Sequence, residues 1–277
     1  MLQRLMQIST VRALNPDFAI DAQAALADQA RMVAAGPGRI ERPLVVLAGY
    51  RSPRIPAARL ATKLTRLVGY AARDVLVVWY TGAGDMPTAV AKVIESVAAW
   101  RPGALGEGEN PGAEQVDVVA ISMGGLIARA AAAGPSVLAG CGRIDEGRGA
   151  IRHVGDRRLS IARLMTLSSP HRGALLADMT AIDPAAEAMV AGSGFLRALD
   201  VALERARYEL VCYSRIRDGW VGATRAAPPG RSVLWRAGLV WGSHFTVSED
   251  PGIVADVARR LRGEEPLAKA GGLPPRD

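Results

Sequence analysis

Apolar positions along the chain fall into two rhythms. Residues 44–47, 74–80, 116–121, 161–167 and 207–213 are runs rich in aliphatic and β-branched side chains, and 232–235 is another, with residue 240 as its outer limit. Runs without polar alternation predict strands buried on both faces. Between them the spacing changes to that of helices. Leu60, Leu64 and Leu67/Val68 share one face of a helix behind a loop with Pro53 and Pro56. Further helices are predicted over 87–100, from behind residue 122 to Gly134-Pro135, and over 251–262. Residues 15–35 predict one more, with Pro16 in its first turn and Gly36-Pro37-Gly38 ending it. Strands alternating with helices predict an α/β fold, its sheet mostly parallel and covered by helices on both faces.

Glycine and proline mark the interruptions. Residues 101–113 are expected to be loop, and 140–159, which mix glycine with both charge signs, an irregular excursion or short hairpin. The chain divides into an amino-terminal helical extension (1–42), a main domain (43–263) and a tail (264–277) expected to fray. A length of 277 residues suffices for one large domain, which would bury about 75% of its unfolded surface. No apolar run is long enough to cross a bilayer. Residues 1–10 lack the apolar core and cleavage site of a signal peptide, so a cytoplasmic location is expected.

The net charge of +7 raises the question of nucleic acid. Lys63, Lys92 and Lys269 are the only lysines, however, and the arginines are scattered without interleaved aromatics. No nucleic-acid partner is expected. Cys141 and Cys212 have neither the number nor the spacing of a metal site, and two free thiols are favoured over one disulfide. Gly82-Ala83-Gly84 follows a strand but lacks the third glycine and downstream acid of a dinucleotide fingerprint. No cofactor and no metal are expected.

Chemistry enters at Ala120-Ile121-Ser122-Met123-Gly124. A buried strand stops at a serine with small residues two before and two after it, and an alanine-rich helix begins at once. This is the strand, sharp turn, helix context of a nucleophile elbow, in which strand and helix pass too closely for large side chains. The more usual pattern has glycine in both small positions; here Ala120 takes the first. Serine is also a favoured N-cap, which is the plainer account of Ser122.

A serine nucleophile needs a neighbouring base, and the chain has three histidines. His153 lies in the charged excursion. His171 sits in Ser169-Pro170-His171-Arg172-Gly173, directly after a strand. His244 sits in a loop between the last strand and the last helix, which puts it in the order serine, acid, histidine. Asp218, followed by Gly219 after a strand, is the matching acid; Asp178 and Asp183 are weaker candidates.

With these motifs the chain resembles the α/β-hydrolase superfamily, in particular its bacterial lipase and esterase branch. The likeness runs from residue 43 to 262, through Val45 to Tyr50, the elbow, Leu167 to Gly173 and the Asp218 and His244 loops. It implies a catalytic triad of Ser122, His244 and Asp218, and an oxyanion hole from the amides of Met123 and Tyr50. Gly49, Gly124 and His171 would then support the site or line it. The His-Gly turn usual in the family is Ala48-Gly49-Tyr50 here, which puts the orientation of that loop in question. Family precedent also implies a helical cap inserted over residues 174–207. Phe195, Leu196, Leu199 and Leu203 fall on one side of a helix there. Such a stripe packs against a core, and in the family it also covers the serine as an acyl pocket.

The implied activity is hydrolysis of a small-molecule or lipid carboxylic ester. A thioesterase, an amidase or an acyltransferase would use the same residues, and a scaffold retained only for binding is the remaining reading.

Overall fold

The computed structural model describes residues 15–107, 112–141, 155–238, 242–269 and 273–275. Residues 1–14 of the extension, His153, the outer end of the last predicted strand and residues 270–272 and 276–277 of the tail lie outside them. In chain order the strands are β1 (Leu44–Leu47), β2 (Val75–Val78), β3 (Leu105–Glu107), β4 (Val116–Ile121), β5 (Arg157–Leu159), β6 (Ile161–Leu167), β7 (Glu209–Arg215) and β8 (Val233–Arg236). Six of them form one parallel sheet in the order β2-β1-β4-β6-β7-β8. The expected α/β architecture is present.

The helices are α1 (Ala22–Ala34), α2 (Arg54–Val68), α3 (Met86–Trp100), α4 (Gly124–Ala133), α5 (Leu175–Met179), α6 (Pro184–Ala188), α7 (Gly194–Leu203), α8 (Ser243–Thr246) and α9 (Pro251–Leu261). Strand side chains alternate between two cores, which is why the strands carry no polar face. Val45, Leu47, Val118, Ala120 and Leu164 pack with α3, α4 and α7. Leu44, Val46, Val119, Met165 and Leu167 pack with α2 and α9 on the other side. The chain leaves β1 for β2 on one side and then enters β4 on the other. Strand order therefore reverses between β1 and β4, and the crevice beyond their carboxyl ends is where open α/β sheets bind ligands.

Several elements differ from expectation. The helix expected over 15–35 is two pieces, a 3₁₀ turn at Pro16–Phe18 and α1. Arg236 Nη1 donates to the carbonyls of Phe18 (3.2 Å) and Ile20 (2.8 Å), and Asp21 caps a new start by accepting from Ala24 N at 2.7 Å. These ties, with a bidentate Asp28–Arg259 pair, fix the extension to β8 and α9. Residues 101–113, expected as loop, contain β3, which pairs antiparallel with β5. A three-residue strand whose partner lies some fifty residues on leaves no local pattern. Pro56 falls inside α2 rather than ahead of it, in the first turn, where its missing N–H is no loss. The strand from Val233 ends at Arg236, with Ala237 and Gly238 outside it. Cys141 and Cys212 are free and buried. No helix of the described residues is long and apolar enough to cross a membrane.

Candidate active site

Ser122 is held at φ +52, in the left-handed region that a non-glycine residue rarely adopts. Such a conformation costs of order 1–3 kcal/mol and persists only where its surroundings determine it. Here Ser122 N donates to Leu167 O (2.8 Å), while Ser122 O accepts from Gly125 N (3.1 Å) as α4 begins. Close packing explains the small residues. A Cβ on Gly124 would lie 2.6 Å from Ala48 O, and one on Gly125 would lie 2.3 Å from Ser169 Oγ. Gly124 thus lets α4 pass the end of β1, and Gly125 lets it pass the end of β6. Ala120 is fully buried between Leu47 and Thr166 in the sheet register, so its methyl is accommodated there.

His244 and Asp218 meet at the same edge of the sheet. Nδ1 lies 3.0 Å from Asp218 Oδ2, with the carboxylate fully buried and the imidazole nearly so. Asp218 Oδ1 accepts from the amides of Trp220 (3.1 Å) and Val221 (3.0 Å). Burial alone would raise the Asp218 carboxyl. The hydrogen bond and charge of His244, the Val221 amide and the neighbouring Ser168 hydroxyl outweigh it and hold the group below its ordinary value. An ionised Asp218 must accept at Nδ1, so Nδ1 carries the proton and the Nε2 lone pair stays open. Trp220 stacks on the imidazole, with centroids 5.7 Å apart and planes 6° from parallel, and Phe245 meets both rings edge-on. Among the described residues no hydrogen bond joins Ser122 Oγ to the ring. The two sides of the site are linked through β6: Ser122 N bonds Leu167 O, and Ser168 adjoins Asp218.

The turn after β1 lies against the serine, since a Cβ on Gly49 would come 3.2 Å from Ser122 Cβ. Its orientation does not depend on a histidine at position 48. The Ala48 carbonyl accepts from the buried Tyr80 hydroxyl, and Thr81 Oγ1 donates to Ser52 O at 2.7 Å. Tyr50 Oη donates to Asp183 Oδ2 at 2.6 Å. The amides of Tyr50 and Met123 have no hydrogen-bond acceptor among the described residues.

His171 is fully buried, with Nδ1 3.1 Å from Arg129 Nη1 and Nε2 3.1 Å from Thr166 Oγ1. A guanidinium only donates, so Nδ1 accepts and Nε2 carries the hydrogen. Burial, reinforced by the Arg129 charge, holds this imidazole well below its ordinary value. Both nitrogens are occupied, which leaves neither for a substrate or a proton transfer. The other acids are also committed. Asp183 caps α6 through Ala186 N (2.8 Å), and Asp178 accepts from Ala191 N (2.9 Å) and Arg225.

Trp220, Phe245, Ser168 and Gly125 escaped the sequence reading. Trp220 and Phe245 directly neighbour Gly219 and His244 and were legible in that sense; Ser168, at φ +48, was not. The apolar stripe of α7 is buried with α4, while Leu176, Met179, Ile182 and Val201 are the large apolar side chains left exposed between residues 174 and 207. Leu176 N donates to Trp220 O at 3.0 Å, which brings α5 to the His244 side of the site. No group of three His, Cys, Asp or Glu side chains that could hold a metal occurs among the described residues.

No family model matches the chain, and no curated protein matches it in sequence. Solved structures do match. The propeptide form of lipase BlEst2 from Bacillus licheniformis aligns over 86% of this chain and 54% of its own, at 16% identity and a TM-score of 0.51. Phospholipase PlaB from Legionella pneumophila aligns over 79% and 60%, at 10% identity and a TM-score of 0.52. This chain spans little more than half the length of either, and at such identities the likeness is one of fold. Its parallel sheet and surrounding helices are those of the α/β-hydrolase fold.

Proposed function

We propose that the protein is a serine hydrolase that cleaves carboxylic esters through an acyl-enzyme. Ser122 Oγ attacks the ester carbonyl while His244 Nε2 takes its proton. Asp218 fixes the Nδ1–H tautomer and stabilises the imidazolium without itself becoming protonated. The Met123 and Tyr50 amides hold the oxyanion, and each such donor is worth roughly 10²–10³ in turnover. His244 returns the proton to the leaving alcohol. Water, activated by the same ring, then releases the acid and restores Ser122. The hydroxyl and Nε2 must close to hydrogen-bond distance in the substrate complex, as catalytic bonds commonly do. Leu176, Trp220 and Phe245 offer an apolar wall to the acyl group.

One observation carries this reading: a buried, ionised aspartate bonded to Nδ1 of a histidine whose Nε2 is left open. A fluorophosphonate probe tests it. Wild-type protein should be labelled on Ser122, and folded Ser122→Ala protein should not. Folded wild-type protein that takes no label and turns over no ester would sink the proposal in favour of a binding role. A panel of p-nitrophenyl esters, thioesters, amides and glycerolipids, with and without an alcohol acceptor, ranks ester hydrolysis against thioesterase, amidase and acyltransferase activity.

A further inference from the structure

A cavity of about 750 Å³ opens at the opposite edge of the sheet from Ser122, well within the roughly 300–1,000 Å³ of small-molecule pockets. Gln115 just ahead of β4, Ile161 at the start of β6 and Tyr208 just ahead of β7 line it, which places it at the amino ends of the strands. Ser122 follows the other end of β4, a strand of six residues, or about 20 Å away at the usual rise. This cavity is therefore not the acyl site of the proposed reaction.

Its walls are of two kinds. Ala132 of α4, Val137 and Leu199 of α7 supply apolar surface. Arg129, Arg158, Arg205 and Arg207 supply charge, and no aspartate or glutamate is among the described residues that line it. Arg129 is 1% exposed; its terminal nitrogens engage His171 and Asp200, but its Nε has no partner. Arg158 Nε is also buried and unpartnered. The Arg158 side chain rests over Gly134, where an added Cβ would come within 2.6 Å of that nitrogen. Neither Arg158 nor Arg205 forms an ion pair among the described residues. The carboxyl end of α4 favours one cation beside it, but it does not call for four arginines around one cavity. The guanidinium ends of Arg158 and Arg205, which take no acceptor among the described residues, are the groups left for an anion. Arginine forks suit carboxylate or phosphate oxygens, and the apolar wall suits a hydrocarbon chain.

We propose that this cavity binds a single-chain anionic amphiphile, its carboxylate or phosphate head on the Arg158–Arg205 side and its hydrocarbon against α4 and α7. The site is independent of Ser122 chemistry and stands whether or not the protein hydrolyses esters. Calorimetric titration with decanoate, decyl phosphate, decanol and inorganic phosphate, below micelle-forming concentrations, tests it. Wild-type protein should bind decanoate or decyl phosphate one to one, and decanol and inorganic phosphate at least tenfold more weakly. Arg158→Ala/Arg205→Ala should weaken the amphiphile at least tenfold, and Ala202→Trp, which fills the cavity, should abolish its binding, both with the thermal midpoint of wild type. Should Ala202→Trp fail to fold, the arginine pair decides alone. Failure of wild type to bind either anionic amphiphile overturns the site, as does unchanged binding by the arginine pair. Equal affinity for decanol would remove the arginines from the account, and equal affinity for inorganic phosphate would remove the hydrocarbon; either result overturns the proposal.

Discussion

Tyr50 Oη and Asp183 Oδ2 lie 2.6 Å apart, and the bond between them joins the turn after β1 to the N-cap of α6. Asp183 accepts three donors at once, from Tyr50, from Arg51 (2.9 Å) and from Ala186 N (2.8 Å). Burial, with Asp183 beside it, pushes the Tyr50 phenol up to about 12, so it donates throughout the ordinary pH range. The residue whose amide is proposed to hold the oxyanion is thus tied by its side chain to the start of α6. Tyr50→Phe should cost about 1 kcal/mol of stability or less. It should lower kcat for ester hydrolysis about tenfold, less than the roughly 10²–10³ expected for outright loss of an oxyanion donor. Steady-state kinetics beside a urea melt checks both, and an unchanged kcat would free the turn from α6.

The two buried histidine systems make opposite predictions. His244→Ala and Asp218→Asn should each lower kcat by about 10³–10⁴, with the fold retained. His171→Gln should keep kcat within a few fold, because its side chain reaches Arg129 and Thr166 rather than the reacting atoms. Asp183→Asn should act like Tyr50→Phe and not like Asp218→Asn. Stopped assays on a p-nitrophenyl ester, normalised by far-ultraviolet circular dichroism, separate the four variants. Loss of activity in His171→Gln with His244→Ala still active would exchange their roles.

What was legible in the chain follows from what makes each signal local. The six sheet strands and the elbow are written in contiguous residues, because burial on both faces and a sharp turn each act within a few positions. The order serine, Asp218, His244 is also readable, since a parallel sheet brings successive strand ends to one edge. The β3–β5 ribbon was not readable, because its pairing is the only reason residues 105–107 are extended. Nor was the role of Tyr80 in holding Ala48, a contact across 32 positions. His171 showed only as a histidine after a strand; its commitment to Arg129 and Thr166 depends on α4 packing over β6.

Helix–strand approach at the elbow yields a stability prediction. A Cβ at position 124 meets a backbone carbonyl at 2.6 Å, and the carbonyl belongs to Ala48 in the turn beside Ser122. Backbone cannot swing aside as a side-chain tip can, so Gly124→Ala should destabilise by about 1–3 kcal/mol and depress activity further by moving the turn. At position 49 the nearest contact is 3.2 Å and belongs to Ser122 Cβ. Gly49→Ala should therefore leave the melt close to wild type while lowering kcat. Ala120→Gly should leave activity intact and weaken the strand by roughly 0.5–1 kcal/mol. Thermal melts paired with initial rates distinguish the three.

His171 also gives the protein a pH signature separate from catalysis. Its imidazole is neutral when folded, because burial and the Arg129 charge hold it well below the ordinary value, while in the unfolded chain it titrates near 6.5. Between those two values the unfolded chain binds a proton that the folded one refuses. Stability is therefore complete above about pH 6.5 and falls as the pH drops below it, by up to about 1.4 kcal/mol per unit. Asp218 behaves differently: its carboxyl is depressed below 3.8, so the stability it adds is lost only at more acid pH. His171→Gln keeps an acceptor for Arg129 and a donor for Thr166 but cannot titrate. Urea unfolding at pH 7.5, 6, 5 and 4.5 should give a steeper decline for wild type than for His171→Gln, with the curves diverging below pH 6.5. Parallel curves would mean that the folded state admits a proton at His171 as readily as the unfolded chain does, against the burial and Arg129 charge that hold it neutral.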